Sequence, residues 1–549
     1  MYNVIFYDKI KSVVLTEQVT GEDGTVSETS ETVQYRVPTK FVFNTATNCD
    51  AFLQDNELLD DFVGEMPSLN SARQMFENSA IQTVSGDNGP AGFSSLTCAD
   101  EMFKNCTKLT SIDIDLSSLT GVFGLVDGCE NLTSFTGSLF SLKNGNKMFN
   151  SCPNLTLFDA SLDNLMYANR MFKDTQITTF NNNMPLLTEA VEMFSNTPIR
   201  MFYSSLENLE NGSRMFADCA LLSTSTEDEI EEINEGEEGE ENEEIINSLN
   251  LECPSLKIGD EMFINDTALT ACNLEANNLH QATSMFKDSG IKHFTGSIDS
   301  IINGTSMFEN TEISYFDIKN LNHLTIGDKM FKENMLEDWN IPMPSLQSAE
   351  EMFAASAQNE VPEEPLPPSE GEDEGNEDDN LEPLPPSTLP EELPDDMPTF
   401  NESEIPVEPT VEEVISKLVD SNSLLTTFVS ELGSLTNGSK MFKNCKNLTT
   451  FVSTLPSLII GDEMFSGCKL DADSVIRIAN SLPDLGGSIT LGINCKVDST
   501  NADGTYSTTF RDAFISETGC CSSWRELLEI FDRKWWKVTW EYNGVEETV

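Results

Sequence analysis

The chain carries 31 Lys and Arg against 93 Asp and Glu over 549 residues, a formal charge of −62 at neutral pH. Charge of that sign repels phosphate backbones and anionic headgroups, so nucleic acid is excluded as a partner, and electrostatic docking on a membrane with it. Hydrophobic content is 38%, which points to polar segments or a thin, extended core. No apolar run approaches the roughly 18 residues of a membrane-spanning helix, so no membrane insertion is expected.

The opening MYNVIFYDKIKSVVL breaks the basic-then-apolar order of a signal peptide at Asp8 and Lys9. A soluble chain with no visible secretion address is the expectation. Residues 1–45 predict β structure, with VIFY, SVVLTEQV and ETVQYRVPTKFVF around the turn Gly21–Gly24. They form either an N-terminal β cap or an attachment segment.

Residues 46–475 are organised by a repeat. Met-Phe recurs thirteen times, at Met75-Phe76, Met102-Phe103, Met148-Phe149 and onward to Met441-Phe442 and Met464-Phe465, mostly 22 or 23 residues apart. Ala51-Phe52, Leu125-Val126 and Leu418-Val419 extend the series to sixteen units, and Met201-Phe202 falls out of register. A small residue follows four positions after the Met (Cys106, Cys152, Cys445), and Leu follows three further on (Leu109, Leu155, Leu448). The alternation in LTSIDIDL predicts a short half-buried strand. Gly or Asp before Met-Phe, as in NGSKMFKNC, predicts a cap and one or two helical turns. One unit cannot bury Met, Phe and Leu alone, so the units stack into an α/β repeat solenoid, a rod of about 75 to 80 Å at roughly 4.8 Å per strand. The ladder of Met102, Phe103, Cys106 and Leu109, of Met148, Phe149, Cys152 and Leu155, and of Met441, Phe442, Cys445 and Leu448 is core packing. It recurs in nearly every coil, unlike a cofactor site. The thirteen cysteines are odd in number, lack paired zinc spacing and in six cases repeat one slot, so reduced thiols filling tight turns are expected.

Two insertions interrupt the rod. Residues 225–247 include Glu227 to Glu244, with twelve acidic residues and no Lys or Arg. Residues 357–413 include Glu360 to Glu413, with twenty acidic residues, twelve prolines and a duplicated EPLPPS. Both compositions predict loops that bury too little apolar surface to order themselves. Residues 476–549 predict a C-terminal αβ cap, with a helix over Ser522–Phe531, a final strand, and Trp524, Trp535, Trp536 and Trp540 beside Arg525, Arg533, Lys534 and Lys537.

The succession of Met-Phe, Cys-x-x-Leu and Leu-x-x-Gly resembles the BspA-type leucine-rich repeats and the related surface-protein repeats of mycoplasmas, over about residues 45 to 475. It departs from standard leucine-rich repeats in lacking their regular Asn ladder. The tail segments GSITLGIN (Gly487 to Asn494) and RKWWKVTWEYNG (Arg533 to Gly544) resemble strands that follow such repeats in bacterial and phage proteins, with Trp535 where Gly usually stands. The resemblance implies adhesion and protein or surface recognition, in chains found on bacteria and on phage particles.

No catalytic signature appears. The histidines are His280, His293 and His323, and there is no nucleophile elbow, P-loop or GxGxxG after a strand. The loop Asp498 to Tyr506 hints at calcium but has Phe510 at the closing twelfth position, so no cofactor and no metal are expected. A non-catalytic recognition or adhesion rod follows, with a candidate binding face at Thr110, Asp113, Thr133, Thr136, Thr449 and Thr450. Its expected partners are a protein or a surface glycan. Unbridged thiols suit assembly in a reducing cytosol, hence a phage structural or tail-associated protein in the virion, with virion assembly partners. A bacterial cell-surface adhesin is the alternative. A tailspike-like glycan-cleaving β-solenoid is the other, with Asp113, Asp115 and Asp159 as its carboxylates.

Overall fold

The computed structural model describes residues 8–20, 26–38, 40–42, 45–85, 91–219, 248–355, 424–493, 524–542 and 545–548. The chain divides into Met1–Ser356 with Ser421–Val549 and a second unit, Ala357–Asp420; the second unit lies outside the described residues. Both acidic insertions, residues 225–247 and 357–413, lie outside them too, as do Leu418-Val419 and the loop Asp498 to Tyr506.

An antiparallel hairpin, β1 (Asp8–Thr20) with β2 (Val26–Pro38), precedes the stacked coils. The first sheet takes β3 (Lys40–Val42), β4 (Asp61–Glu65), β5 (Thr83–Ser85), β6 (Ala91–Gly92), β7 (Ser111–Asp115), β8 (Ser134–Ser138) and β9 (Leu157–Asp159), all parallel. Then come β10 (Thr179–Phe180) with β11 (Met201–Phe202), and β12 (Ser248–Glu252) through β13 (Ala271–Glu275) and β14 (His293–Ser297) to β15 (Tyr315–Ile318). A third parallel group holds β16 (Asp338–Trp339), β17 (Thr427–Val429) and β18 (Thr450–Val452). The chain closes with β19 (Ile460–Leu470), α1 (Ala472–Ser481), β20 (Gly487–Ile493), α2 (Trp524–Arg533), β21 (Trp536–Tyr542) and β22 (Val545–Thr548).

A second line of parallel bridges runs from Asn48 through Ser71, Asn144 and Ile258 to Ile460, four residues before each Met position, and marks about fourteen turns. One continuous buried cluster extends from Ala46 to Trp540. Every Met-Phe pair from Met75-Phe76 to Met464-Phe465 in the described ladder is fully buried, as are Cys106, Leu109, Cys152, Leu155, Cys445 and Leu448. The solenoid is therefore one core, not a string of domains.

The Met-Phe segment is not helical. Nearly every coil bends there through two residues with left-handed backbone, for example Lys147 (φ 57°) and Ser151 (φ 56°) around Met148-Phe149. Amides that a helix would satisfy internally instead bond to the neighbouring coil: Phe149 N–H donates to Met171 O at 2.9 Å and Phe172 N–H to Met193 O at 2.9 Å. The second left-handed position, three after the Met, holds Asn78, Asn105, Asp174, Asn196, Asp218, Asn265, Asp288, Asn310 and Asn444. Asn and Asp tolerate that conformation best after Gly. Their side chains also link coils, with Asn196 Nδ2 donating to Asp174 Oδ1 at 2.7 Å and Asn310 Nδ2 to Asp288 Oδ1 at 2.7 Å. An Asn/Asp ladder does exist, displaced from the standard leucine-rich-repeat position.

Gly in Leu-x-x-Gly has a steric cause. A Cβ at Gly304 would lie 2.9 Å from Met330 Sδ on the next coil, and one at Gly145 would lie 3.1 Å from Met171 Sδ. The first pair of the ladder shifts by one residue. Ala51 occupies the left-handed site (φ 54°) filled by Gln74 in the next coil, so Phe52-Leu53, not Ala51-Phe52, is the equivalent of Met75-Phe76. Among the described residues Met352-Phe353 stacks directly on Met441-Phe442, with rings 5.6 Å apart and Ser348 bridged to Asn437.

Aromatic rings form two columns. The Met-Phe rings stack nearly parallel, as Phe149 on Phe172 at 5.4 Å and Phe286 on Phe308 at 5.3 Å. The strand-side rings Phe158, Phe180 and Phe202 stack beside them at 6.1 to 6.4 Å. The columns interlock edge to face, Phe180 against Phe194 at 4.8 Å. Met201-Phe202, out of register in the sequence, is thereby strand β11 and a member of the second column.

Candidate recognition face

Alternation along each strand sends one residue inward and the next to solvent. On β7 this buries Ile112 and Ile114 and exposes Asp113. Register places Asp113 opposite Thr136 of β8, and Thr136 opposite Asp159 of β9. Thr110 and Thr133 are exposed just before the same strands. The structure thus brings Thr110, Asp113, Thr133 and Thr136 onto adjacent coils. Thr449 and Thr450 lie half-buried on a different sheet.

These threonines also hold the stack together. Thr133 Oγ1 donates to Thr110 O at 3.0 Å, Thr136 Oγ1 to Ile112 O at 3.4 Å, and Thr450 Oγ1 to Asp471 Oδ2 at 3.4 Å. Their protons are committed to the neighbouring coil, and their oxygens remain as acceptors. Asp113, Asp159, Glu252, Asp317 and Asp338 give this face an acidic character.

The turn edge differs. Its first left-handed position holds Arg170, Glu192 and Glu351, which pair between coils: Arg170 with Glu192 at 2.7 Å, Glu351 with Lys332 at 2.8 Å, and Glu192 with Lys173, both lysines two residues after a Met. Burial would raise the Glu192 carboxyl, but Lys173 and Arg170 hold it below the usual range. Cations are spent on stacking there.

The small slot is closed chemistry. Cys106 Sγ donates to Phe76 O at 2.9 Å, Cys219 Sγ to Phe194 O at 3.1 Å and Cys445 Sγ to Phe353 O at 3.0 Å, each on the preceding coil. Burial pushes the Cys152 and Cys219 thiols up to about 12. The ten described cysteines are free thiols, and of these Cys98 alone is more than slightly exposed. Among the described residues no group of three His, Cys, Asp or Glu is placed to hold a metal ion.

The sheet is interrupted twice without an insertion, between β9 and β10 and between β15 and β16. Here β10 and β16 are two-residue strands. A cleft opens at each seam. One of about 310 Å³ is lined by Asp159, Ser161, Thr179 and Asn182 among others. The other, about 320 Å³, is lined by Ser314, Tyr315, Glu337, Asp338, Asn340 and the buried Trp339 among others. Sequence reading missed both seams. Proline is no signal for them, because Pro67 and Pro254 occupy the place of Pro185 and Pro344 after five-residue strands.

At the C-terminal end β19, β20 and β21 run parallel. Asp471 caps α1, accepting from Ser474 N–H at 2.8 Å. Buried Lys534 donates from Nζ to Ala479 O, Asn480 O and Leu482 O at 3.1, 2.8 and 2.6 Å, closing the carbonyl end of that helix. Trp536 and Trp540 are interior, whereas Trp535 has φ 64° and is 80% exposed. The side chains of Trp524 and Arg525 lie outside the described residues. The left-handed backbone explains why Gly is the usual residue at the position of Trp535.

Stacked parallel coils with a constant interior ladder and a variable outward strand face define a leucine-rich-repeat solenoid. The chain belongs to the BspA-type leucine-rich-repeat family: the BspA type leucine rich repeat region matches residues 72–200, 241–360 and 399–512. Among solved structures it is similar to a leucine rich cell surface protein from Faecalibacterium prausnitzii A2-165, at 14% identity over 60% of this chain and 90% of that one, with TM-score 0.28. A leucine-rich repeat protein from Bacteroides ovatus ATCC 8483 is 13% identical over 60% and 93%, with TM-score 0.25. No curated protein matches. Among the described residues no helix is long and apolar enough to cross a membrane.

Proposed function

We propose that the chain is a non-catalytic recognition protein that presents its outward strand face to a protein or a glycan at a bacterial surface. The observation that carries this reading is the division of labour around each coil. Met, Phe, Leu and the small slot are spent on the interior and charged pairs on the turn edge, which leaves the strand face free to vary. Many weak contacts along such a face suit surface binding. Pull-down of labelled protein on bacterial and host cell surfaces tests it. Saturable binding weakened by charge reversal at Asp113 and Asp159 supports the reading, and absence of binding to every surface contradicts it.

A virion setting is the second reading, supported by the tail: GSITLGIN and RKWWKVTWEYNG supply the adjacent parallel strands β20 and β21. Mass spectrometry of purified particles against cell envelopes separates the two settings. On the enzymatic alternative, Asp113 and Asp159 stand two rungs apart with Thr136 between, about 9.6 Å at ordinary strand spacing. Release of reducing ends from a polysaccharide, abolished by Asp113→Asn or Asp159→Asn, would replace the non-catalytic reading.

A further inference from the structure

We infer that the seam between β15 and β16 is a binding site for a neutral or amino sugar ring, with Tyr315 as its platform. The inference rests on the recognition reading above and names a ligand class for one place on that face.

Tyr315 is 50% exposed on the strand face, and its Oη donates to Asp317 Oδ2 at 3.3 Å. The His293 ring lies beside it on the preceding strand, centroids 5.8 Å apart. Tyr315 borders the cleft of about 320 Å³, and ligand sites of a few hundred Å³ accept one small ring. The floor is rigid: buried Trp339 donates from Nε1 to Ile341 O at 3.1 Å and stacks on Phe316 at 5.7 Å.

The cleft therefore offers an aromatic face beside acceptors. Ser314, Glu337, Asp338 and Asn340 are exposed around it. A pyranose presents an apolar C–H face to an aromatic ring and hydroxyl donors at its edge, and carboxylates accept two donors each. The same carboxylates repel anions, so uronic acids, sialic acids and sulfated sugars are disfavoured. The seam between β9 and β10 provides an internal control. It has a cleft of similar size, but Leu157 stands there in place of an aromatic ring.

The test is calorimetric titration of the full chain with the hexasaccharides of β-1,4-glucose, β-1,4-N-acetylglucosamine and α-1,6-mannose, beside hyaluronan. Binding of at least one neutral hexasaccharide is expected, weakened about tenfold or more by Tyr315→Ala and largely restored by Tyr315→Phe. Asp338→Asn should also weaken it, and Leu157→Ala at the other seam should leave it unchanged. Circular dichroism of each variant checks folding. Failure of every neutral probe to bind, hyaluronan binding in their place, or equal binding by the Tyr315→Ala protein would overturn the inference. If whole-cell binding persists in any of these cases, the recognition reading survives the loss of this site.

Discussion

Position 266 puts a carboxyl where other coils put a thiol or hydroxyl. Asp266 is fully buried between Cys219 and Ser289 in the small slot, and neither of its oxygens makes a well-formed hydrogen bond. Burial pushes its carboxyl well above the ordinary 3.8, against the opposing pull of the Ala268 and Leu269 amides. The folded state then holds this proton to higher pH than the unfolded chain does. Its contribution is intact below about pH 3.8 and is lost as pH rises from there through the raised value. Asn334 shows how a neutral amide sits in the slot, donating from Nδ2 to Phe308 O at 2.7 Å on the preceding coil while its Oδ1 has no partner. Asp266→Asn should therefore stabilise the protein by about 1–3 kcal/mol at pH 7. Calorimetric melting across pH should show the gain shrinking toward zero in acid. Trp535 makes a second residue-scale case. An L-residue with left-handed backbone costs about 1–2 kcal/mol, and this side chain is 80% exposed, so little packing is lost with it. Trp535→Gly should raise the melting temperature; a fall would mean the indole makes contacts that offset the strain.

Within one coil, the identity of the inward residues was plain in the sequence because the step between units barely varies. Local conformation was not. Gly or Asp ahead of Met-Phe looks like a helix cap, yet the competing signal sat three residues after the Met, where Asn and Asp recur. Those residue types favour the left-handed turn, and two such turns per coil make a helix impossible. The strand-side aromatic column was legible in principle. It escaped notice because its place falls nine or ten residues after the Met and is filled by Phe202, Cys272, Phe294 or Trp339 in turn. Both columns bear on stability. Phe308 contacts Phe286, Phe294, Phe316 and Phe331, so Phe308→Ala should cost about 3–5 kcal/mol. Nearest-neighbour coupling in a solenoid should localise the loss. Hydrogen exchange should rise in the coils of Met285 to Met330 while that of Met102 to Met148 stays protected.

Across the stack, the stacked-repeat architecture followed from the spacing and the family from the resemblance of the Met-Phe, Cys-x-x-Leu and Leu-x-x-Gly motifs, while the candidate site followed from neither. Thr110, Asp113, Thr133 and Thr136 share a face because equal steps bring equal positions together, and Thr449 and Thr450 repeat that pattern too many coils away to join them. The seam clefts depend on where strands fail to pair, which a per-unit pattern cannot express. The direct stacking of Met352-Phe353 on Met441-Phe442 carries its own consequence. Replacing residues 357–420 by a short Gly-Ser linker should leave the melting temperature within a few degrees of the parent. Loss of cooperative melting would place part of the ladder in that segment.

Hydrogen–deuterium exchange of the full chain, resolved by peptide mass spectrometry, examines the stacked column most directly. The Phe-position amides from Phe76 to Phe442 donate to the next coil at 2.8–3.0 Å, so peptides spanning these Met-Phe pairs should all exchange slowly, as one protected block. Rapid exchange at those amides, or protected islands parted by unprotected Met-Phe segments, would contradict a single continuous core.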